Sequence, residues 1–225
     1  MQSKSSFDEQ LRHSGRVLIP AGAICDVSSF LRELGPLIPA DSENNEYRDL
    51  VPYSRTTAPK ASMSAFVGTD EQPMHTDRAH VPTPPRYVAL QCINPGETSC
   101  STSLWISDTE MLTRDRPQLL TNAQWVFSGG QKPFYSPIVE WFRQQLRLRF
   151  DPCCMRPAGF CQKEISDACN LIKRYARLET VEWHSGTLLI LDNWQCLHGR
   201  AVGSHEAPSR RLRRWYIGGR DGLGQ

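Results

Sequence analysis

The sequence predicts a mainly β protein with flanking helices, built as a double-stranded β-helix (jelly roll). Three observations carry that prediction. The 225 residues include 16 Pro and 15 Gly, a density of turn formers that suits many short strands. Apolar runs of roughly four to eight residues recur between those turns. Strands and helices do not alternate regularly, as a parallel α/β sheet would require.

In chain order, residues 1–14 are polar and read as a loose arm. Arg16 to Ile19 reads as a strand closed by Pro20. Asp26 to Leu34 reads as a helix, with Asp26 or Ser28 as cap, Phe30, Leu31 and Leu34 as its apolar face, and Gly35 as its stop. Residues 36–62 have no clean period and read as loop with short elements. Arg86 to Ile93 and Leu104 to Ile106 are strands, and Ser107 or Asp108 caps a helix near 109–120. Ser128-Gly129-Gly130 joins Gln124–Phe127 to Phe134–Val139 as a hairpin. Leu146 to Phe150 is a strand, and Glu164 to Leu178 a helix with Ile165, Ala168, Leu171, Ile172 and Tyr175 on one face. Thr180–Trp183, Thr187–Leu191 and Leu212–Ile217 complete the strands.

Length favours one domain over residues 1–225, large enough to bury roughly 70% of its unfolded surface without a disulfide or structural metal. The net charge is only +2, which argues against nucleic-acid or membrane-surface binding. Mean hydropathy is −0.47, and the longest strongly apolar run is Leu188–Leu191, far short of a membrane span. The N-terminus has no apolar stretch of the secretory type, so a cytoplasmic location is expected. The eight Cys (25, 92, 100, 153, 154, 161, 169 and 196) form no CxxC pair or zinc spacing and read as free thiols, mostly buried.

The chemistry concentrates in two stretches. Pro73-Met-His75-Thr-Asp77 places a His and a carboxylate two residues apart, on one side of an extended backbone. Leu189-Ile-Leu-Asp-Asn-Trp-Gln-Cys-Leu-His198 supplies a second His 123 residues after the first. Two His and one carboxylate are the facial triad of non-haem Fe(II) oxygenases, which leaves open positions for co-substrate and dioxygen. The same three ligands also suit a zinc hydrolase. His80 either lines the substrate pocket or is a loop residue. Asp192-Asn193-Trp194 orients its own loop by local hydrogen bonds, Trp105 is core, Cys196 packs or faces the ligand side, and His184 and His205 are loop or strand-end residues.

Around these stretches the chain resembles the taurine dioxygenase/clavaminate synthase-like family of Fe(II)- and 2-oxoglutarate-dependent oxygenases. The resembling residues are His75-Thr-Asp77, Pro84-Pro85-Arg86, Thr102, Gly186 through His198-Gly-Arg200, and Arg210-Arg-Leu-Arg-Arg214-Trp-Tyr216. The distal segment also resembles γ-butyrobetaine hydroxylases, and the likeness covers roughly residues 60–220. It implies a jelly-roll fold and an enzyme that uses Fe(II), 2-oxoglutarate and O2, releasing succinate and CO2 as it hydroxylates, desaturates or cyclises at an unactivated C–H of a small metabolite or natural-product intermediate. His75, Asp77 and His198 would hold the metal.

The distal carboxylate of 2-oxoglutarate calls for an Arg. Arg210 is favoured over Arg211, with Thr102 assisting and Thr98 or Ser103 as alternatives. Strand alternation puts Arg210, Leu212, Arg214 and Tyr216 on one face. Arg214 would then lie near the substrate and point to an anionic group on it, a role that Arg143, Arg147 or Arg149 could also take. Asp77 favours hydroxylation over halogenation, because related halogenases carry a small residue at that position. The alternatives are a non-catalytic jelly-roll protein that binds 2-oxoglutarate or metal, and the zinc hydrolase, which leaves Arg210 and Thr102 without a role. The run Arg210–Arg214 could instead be a solvated basic strand.

Overall fold

The structure, a computed structural model, describes residues 4–60, 62–97, 100–122, 124–142, 145–159, 163–201 and 208–219. Thr98, Arg143, Cys161 and His205 lie outside the described residues.

The chain opens with helix α1 (Lys4–Ser14), strand β1 (Arg16–Ile19) and helix α2 (Val27–Arg32). Asp26 caps α2, accepting from the Ser29 N–H at 3.1 Å. Strands β2 (Leu37–Ile38) and β3 (Tyr47–Leu50) and helix α3 (Met63–Val67) occupy the loop-rich stretch. Then come β4 (Tyr87–Asn94), β5 (Thr102–Ser107), α4 (Thr109–Asp115) and α5 (Gln118–Thr121). Strands β6 (Trp125–Phe127), β7 (Phe134–Ser136), β8 (Val139–Phe142), β9 (Gln145–Leu148) and β10 (Met155–Pro157) follow. The last elements are α6 (Lys163–Arg174), β11 (Ala176–Val181), β12 (Leu188–Asp192), β13 (Cys196–Arg200) and β14 (Arg211–Ile217).

Two antiparallel sheets form the sandwich. The larger runs β1-β12-β4-β14-β2, with β3 also on β14, and the smaller runs β11-β5-β13. Their facing sides meet in a core of Val88, Leu90, Leu104, Ile106, Leu189, Leu191 and Leu212. The outer face of the larger sheet is covered as well: Ala89, Leu188, Ile190, Trp215 and Ile217 pack under Leu11 of α1 and Leu31 of α2. Strand β12 is therefore buried on both faces, which explains its unbroken apolar run. A third core, around Trp125, Phe127, Phe150 and Ile172, lies beneath α5 and α6. This arrangement is the jelly roll that the turn density predicted, with helices on its flanks.

Three expectations are corrected. Residues 4–14 of the expected loose arm are instead ordered, since Lys4–Ser14 is helical and Leu11 is fully buried on the sheet. The helix near 109–120 is two helices, because Arg116 turns left-handed (φ 43°) ahead of Pro117, which has no N–H to continue the ladder. The helix from Glu164 ends at Arg174, and residues 176–178 instead pair with Ser107, Ile106 and Trp105 of β5. Pairing to an open strand edge there outweighs the helical period. Among the described residues no helix is long and apolar enough to cross a membrane.

Candidate metal and co-substrate site

His198 lies on β13, opposite Leu104 of β5. The segment carrying His75 runs antiparallel beside it. The His75 N–H donates to the His198 carbonyl at 3.0 Å, and the His198 N–H returns to the His75 carbonyl at 3.1 Å. Gly199 permits this approach, since a Cβ there would stand 2.6 Å from the Gln72 carbonyl oxygen. On its other side, Thr76 is clipped to Phe150: the Thr76 N–H donates to the Phe150 carbonyl at 2.7 Å. Residues 75 and 198 are thus brought together by backbone pairing, and their rings lie 4.6 Å apart.

Asp77 completes the cluster. Potential ligand atoms of His75, Asp77 and His198 all lie within 4.8 Å of one another, and all three residues are buried. His75 Nε2 is 3.8 Å from Asp77 Oδ1, and His198 Nε2 is 3.4 Å from Asp77 Oδ2. His75 Nδ1 lies 3.0 Å from the Pro73 carbonyl, which orients the ring and leaves Nε2 facing the cluster. Burial, followed by the neighbouring His198, pushes the His75 pKa down, so the ring stays neutral as a ligand must. Burial pushes the Asp77 carboxyl up, but Arg214, helped by His198 and His75, outweighs it and holds the group far below the usual carboxylate range. Among the described residues Asp77 Oδ2 is buried without a hydrogen-bond partner. An ionised oxygen left open beside the His198 imidazole, with His75 on the other oxygen of the same carboxylate, fits a bound cation, and this donor set suits Fe(II).

Asp77 is held from both sides. Arg214 Nη1 donates to its Oδ1 at 3.0 Å. Asn193, fully buried, accepts the Asp77 N–H at 2.9 Å and donates to the Asp77 carbonyl at 3.1 Å and the Pro85 carbonyl at 3.0 Å. The sequence suggested only local bonds for this stretch. Those exist, such as the Trp194 N–H to Asp192 Oδ1 at 3.0 Å, but the partners of Asn193 lie about a hundred residues away. The buried ion pair of Arg86 with Asp192, at 2.6 Å, was also missed, although Arg86 belongs to a motif already singled out.

The triad faces a cavity of about 360 Å³ that Arg210, Thr102, Arg214 and His80 also line. Arg210 is buried and its Nε donates to the Cys100 carbonyl at 3.2 Å, while Arg211 is exposed. Burial lowers the Arg210 pKa. Thr102 Oγ1 accepts from Trp183 Nε1 at 3.0 Å. Leu212 and Tyr216 line the same cavity, as the alternation along β14 predicts, while Arg213 does not line it and pairs with Asp49 at its wall. Ser103 is not among the lining residues. Cys196 packs in the sandwich core, Trp105 packs against the third core, and His184 is exposed. Arg147 pairs with Glu140, and Arg149 donates to the carbonyls of Ala79, Val81 and Pro82, so neither lines the cavity.

Comparisons with known proteins bear on the fold and the family. The model of the taurine catabolism dioxygenase TauD, TfdA family matches residues 5–216. No curated protein sequence matches. Among solved structures, asparagine oxygenase in complex with Fe(II), (2S,3S)-3-hydroxyasparagine and succinate superposes with a TM-score of 0.70 at 15% identity, covering 95% of this chain and 78% of that one. The non-haem iron oxygenase OrfP with Fe and α-ketoglutaric acid gives 0.68 at 15% identity, with coverage of 96% and 79%. PvcB, an Fe, α-ketoglutarate-dependent oxygenase from an isonitrile synthetic pathway, gives 0.68 at 22% identity, with coverage of 96% and 80%. At these identities the structural likeness speaks for the fold, and the family match speaks for the chemistry. The chain belongs to the TauD, TfdA family and is an Fe(II)- and 2-oxoglutarate-dependent oxygenase.

Proposed function

We propose that His75, Asp77 and His198 hold the iron, that Arg210 with Thr102 receives the distal carboxylate of 2-oxoglutarate, and that the enzyme hydroxylates a C–H of a small molecule bearing an anionic group. The observation that carries this reading is the convergence of residues 75, 77, 102, 198 and 210 on one cavity. When bound, the iron supplies dioxygen activation coupled to decarboxylation of 2-oxoglutarate, so that substrate, O2 and 2-oxoglutarate become hydroxylated substrate, succinate and CO2.

The side chains select, orient and shield. The His75 ring is oriented by the Pro73 carbonyl and Asp77 by Asn193 and Arg214. Among the described residues only the Nε of Arg210 is engaged, which leaves its terminal nitrogens for a carboxylate at the cavity wall. Burial of the triad keeps bulk water from the reacting centre. Arg214 and the partly buried His80 line the substrate side, and Arg214 supports an anionic substrate group.

The basic run at 210–214 is mostly engaged internally, on Cys100, Asp49 and Asp77, which supports a small-molecule rather than a polyanion partner. We place the enzyme in the cytoplasm; all seven described cysteines are free, as suits a reducing compartment. The family match disfavours the non-catalytic alternative.

The test is anaerobic titration with Fe(II) and 2-oxoglutarate, followed by exposure to air and quantification of succinate across a metabolite panel. His75→Ala is expected to abolish substrate-dependent succinate. Arg210→Ala is expected to raise the KM for 2-oxoglutarate by about tenfold or more, as loss of a charge-assisted pair implies. Succinate formation by His75→Ala would refute the ligand assignment. Binding of both ligands without succinate formation with any substrate would favour the non-catalytic alternative.

A further inference from the structure

Three carboxylates line the cavity, and two of them are matched by cations. Asp77 accepts from Arg214. Asp49 takes Arg213 through both oxygens, at 2.8 and 3.2 Å. The third, Asp151, is only 9% exposed, and among the described residues no Lys, Arg or His forms an ion pair with it. Arg149, two residues earlier, turns away to the carbonyls of Ala79, Val81 and Pro82.

Asp151 is not an incidental loop acid. The clip between Thr76 and Phe150, in which the Phe150 N–H also donates to Thr76 Oγ1 at 3.2 Å, fixes the preceding residue against the centre of the His75-Thr76-Asp77 segment. One carboxylate oxygen accepts the Cys153 N–H at 2.9 Å, which sets the side-chain rotamer. The group faces the same cavity as the triad and His80, and the thiols of Cys153 and Cys154 are pushed up in pKa by burial and by this carboxylate. Asp151 acts electrostatically on His75 and His80, but among the described residues no cation pairs with it; a hydroxyl group offsets the cost of a largely buried carboxylate less well than a positive charge does.

We propose that Asp151 is a specificity-determining residue that receives a cationic group of the substrate, an ammonium or a guanidinium. Together with the anionic end proposed at Arg214, this makes the substrate zwitterionic. The inference rests on the oxygenase reading only for the identity of the cavity.

The test uses the full chain loaded with Co(II) and 2-oxoglutarate, titrated calorimetrically with matched pairs. L-Amino acids against the corresponding 2-hydroxy acids probe the α-ammonium. L-Arginine against L-citrulline, and L-lysine against L-norleucine, probe a side-chain cation. At least one cationic member is expected to bind at least about tenfold tighter than its neutral partner. Asp151→Asn keeps an oxygen for the Cys153 N–H, so the turn and the melting temperature should stand while the preference disappears. Its 2-oxoglutarate affinity should match that of the wild type. Equal binding of neutral partners, a preference that survives in Asp151→Asn, or no binding by any cationic member would overturn the proposal. Failure of wild-type protein to bind 2-oxoglutarate would strike the Arg210 assignment instead and leave the paired comparison readable.

Discussion

Arg86 and Asp192 form an ion pair from which solvent is almost excluded, with Asp192 at 0% exposure. Burial raises the Asp192 pKa, and Arg86 is the principal force that opposes it. Asp192 also accepts from the Trp194 N–H and Gln195 Nε2, so it shapes the turn that presents Asn193 and leads into β13. Arg86→Met strands a buried charge and is expected to cost about 3–5 kcal/mol of stability, read as a lower midpoint in denaturant. Asn193→Ala leaves the Asp77 N–H and two carbonyls without their partner, and Co(II) affinity should fall by roughly 10–100-fold, measured by titration. His80 gives a pH signature. Burial lowers its pKa, with Arg78 and Arg149 adding to the effect and Asp151 opposing it. The unfolded chain therefore takes up this proton at a higher pH than the folded one does. Stability from this group is present above 6.5 and lost as pH falls from there toward the depressed folded value. His80→Gln should lessen the fall of melting temperature over that window without removing it, since His75 is depressed in the same direction.

Two elements link the site to the rest of the fold. Strand β13 carries His198 and Arg200 and faces the segment at Gln72–His75 across Gly199. Gly199→Ala places a methyl against the backbone of that segment, where no side-chain rotation can relieve it. The expected outcome is weakened metal binding that exceeds any loss of stability, seen by comparing Co(II) titration with thermal melting. Helix α1 instead seals the far face of β12. Leu11→Ala should lower stability by about 2–5 kcal/mol, because a fully buried leucine leaves a cavity against Ile190 and its neighbours. The N-terminal helix was illegible in the sequence because its apolar contacts are few, and a surface on which to dock them exists only once β12 and β4 have paired. The strand at 176–178 was hidden for a similar reason, as its residues continue a helical period and become a strand only beside β5. Caps such as Asp26 and Asp108 were readable, since a side chain bonding an N–H three residues on is a local event.

For the whole molecule, metal and folding are linked. Three buried residues proposed as ligands, drawn from two distant stretches, converge only in the folded chain, so a bound divalent ion should stabilise it by about 2.7 kcal/mol at a hundredfold excess over Kd. Co(II) is therefore expected to raise the melting temperature, chelator to reverse the rise, and Asp77→Ala to abolish it. The donor types, their short spacing and the alternation along β14 are properties of neighbouring residues, and the sequence carried them: His75 with Asp77, His198 ahead of a basic strand, and Arg210 with Arg214 on one face. Pairings between distant residues are set by which strands hydrogen-bond and which faces meet, and no local period encodes them. The folded chain alone therefore placed Asn193 on Asp77, Arg214 on the same carboxylate, and Asp151 against the cavity with no cation paired to it among the described residues.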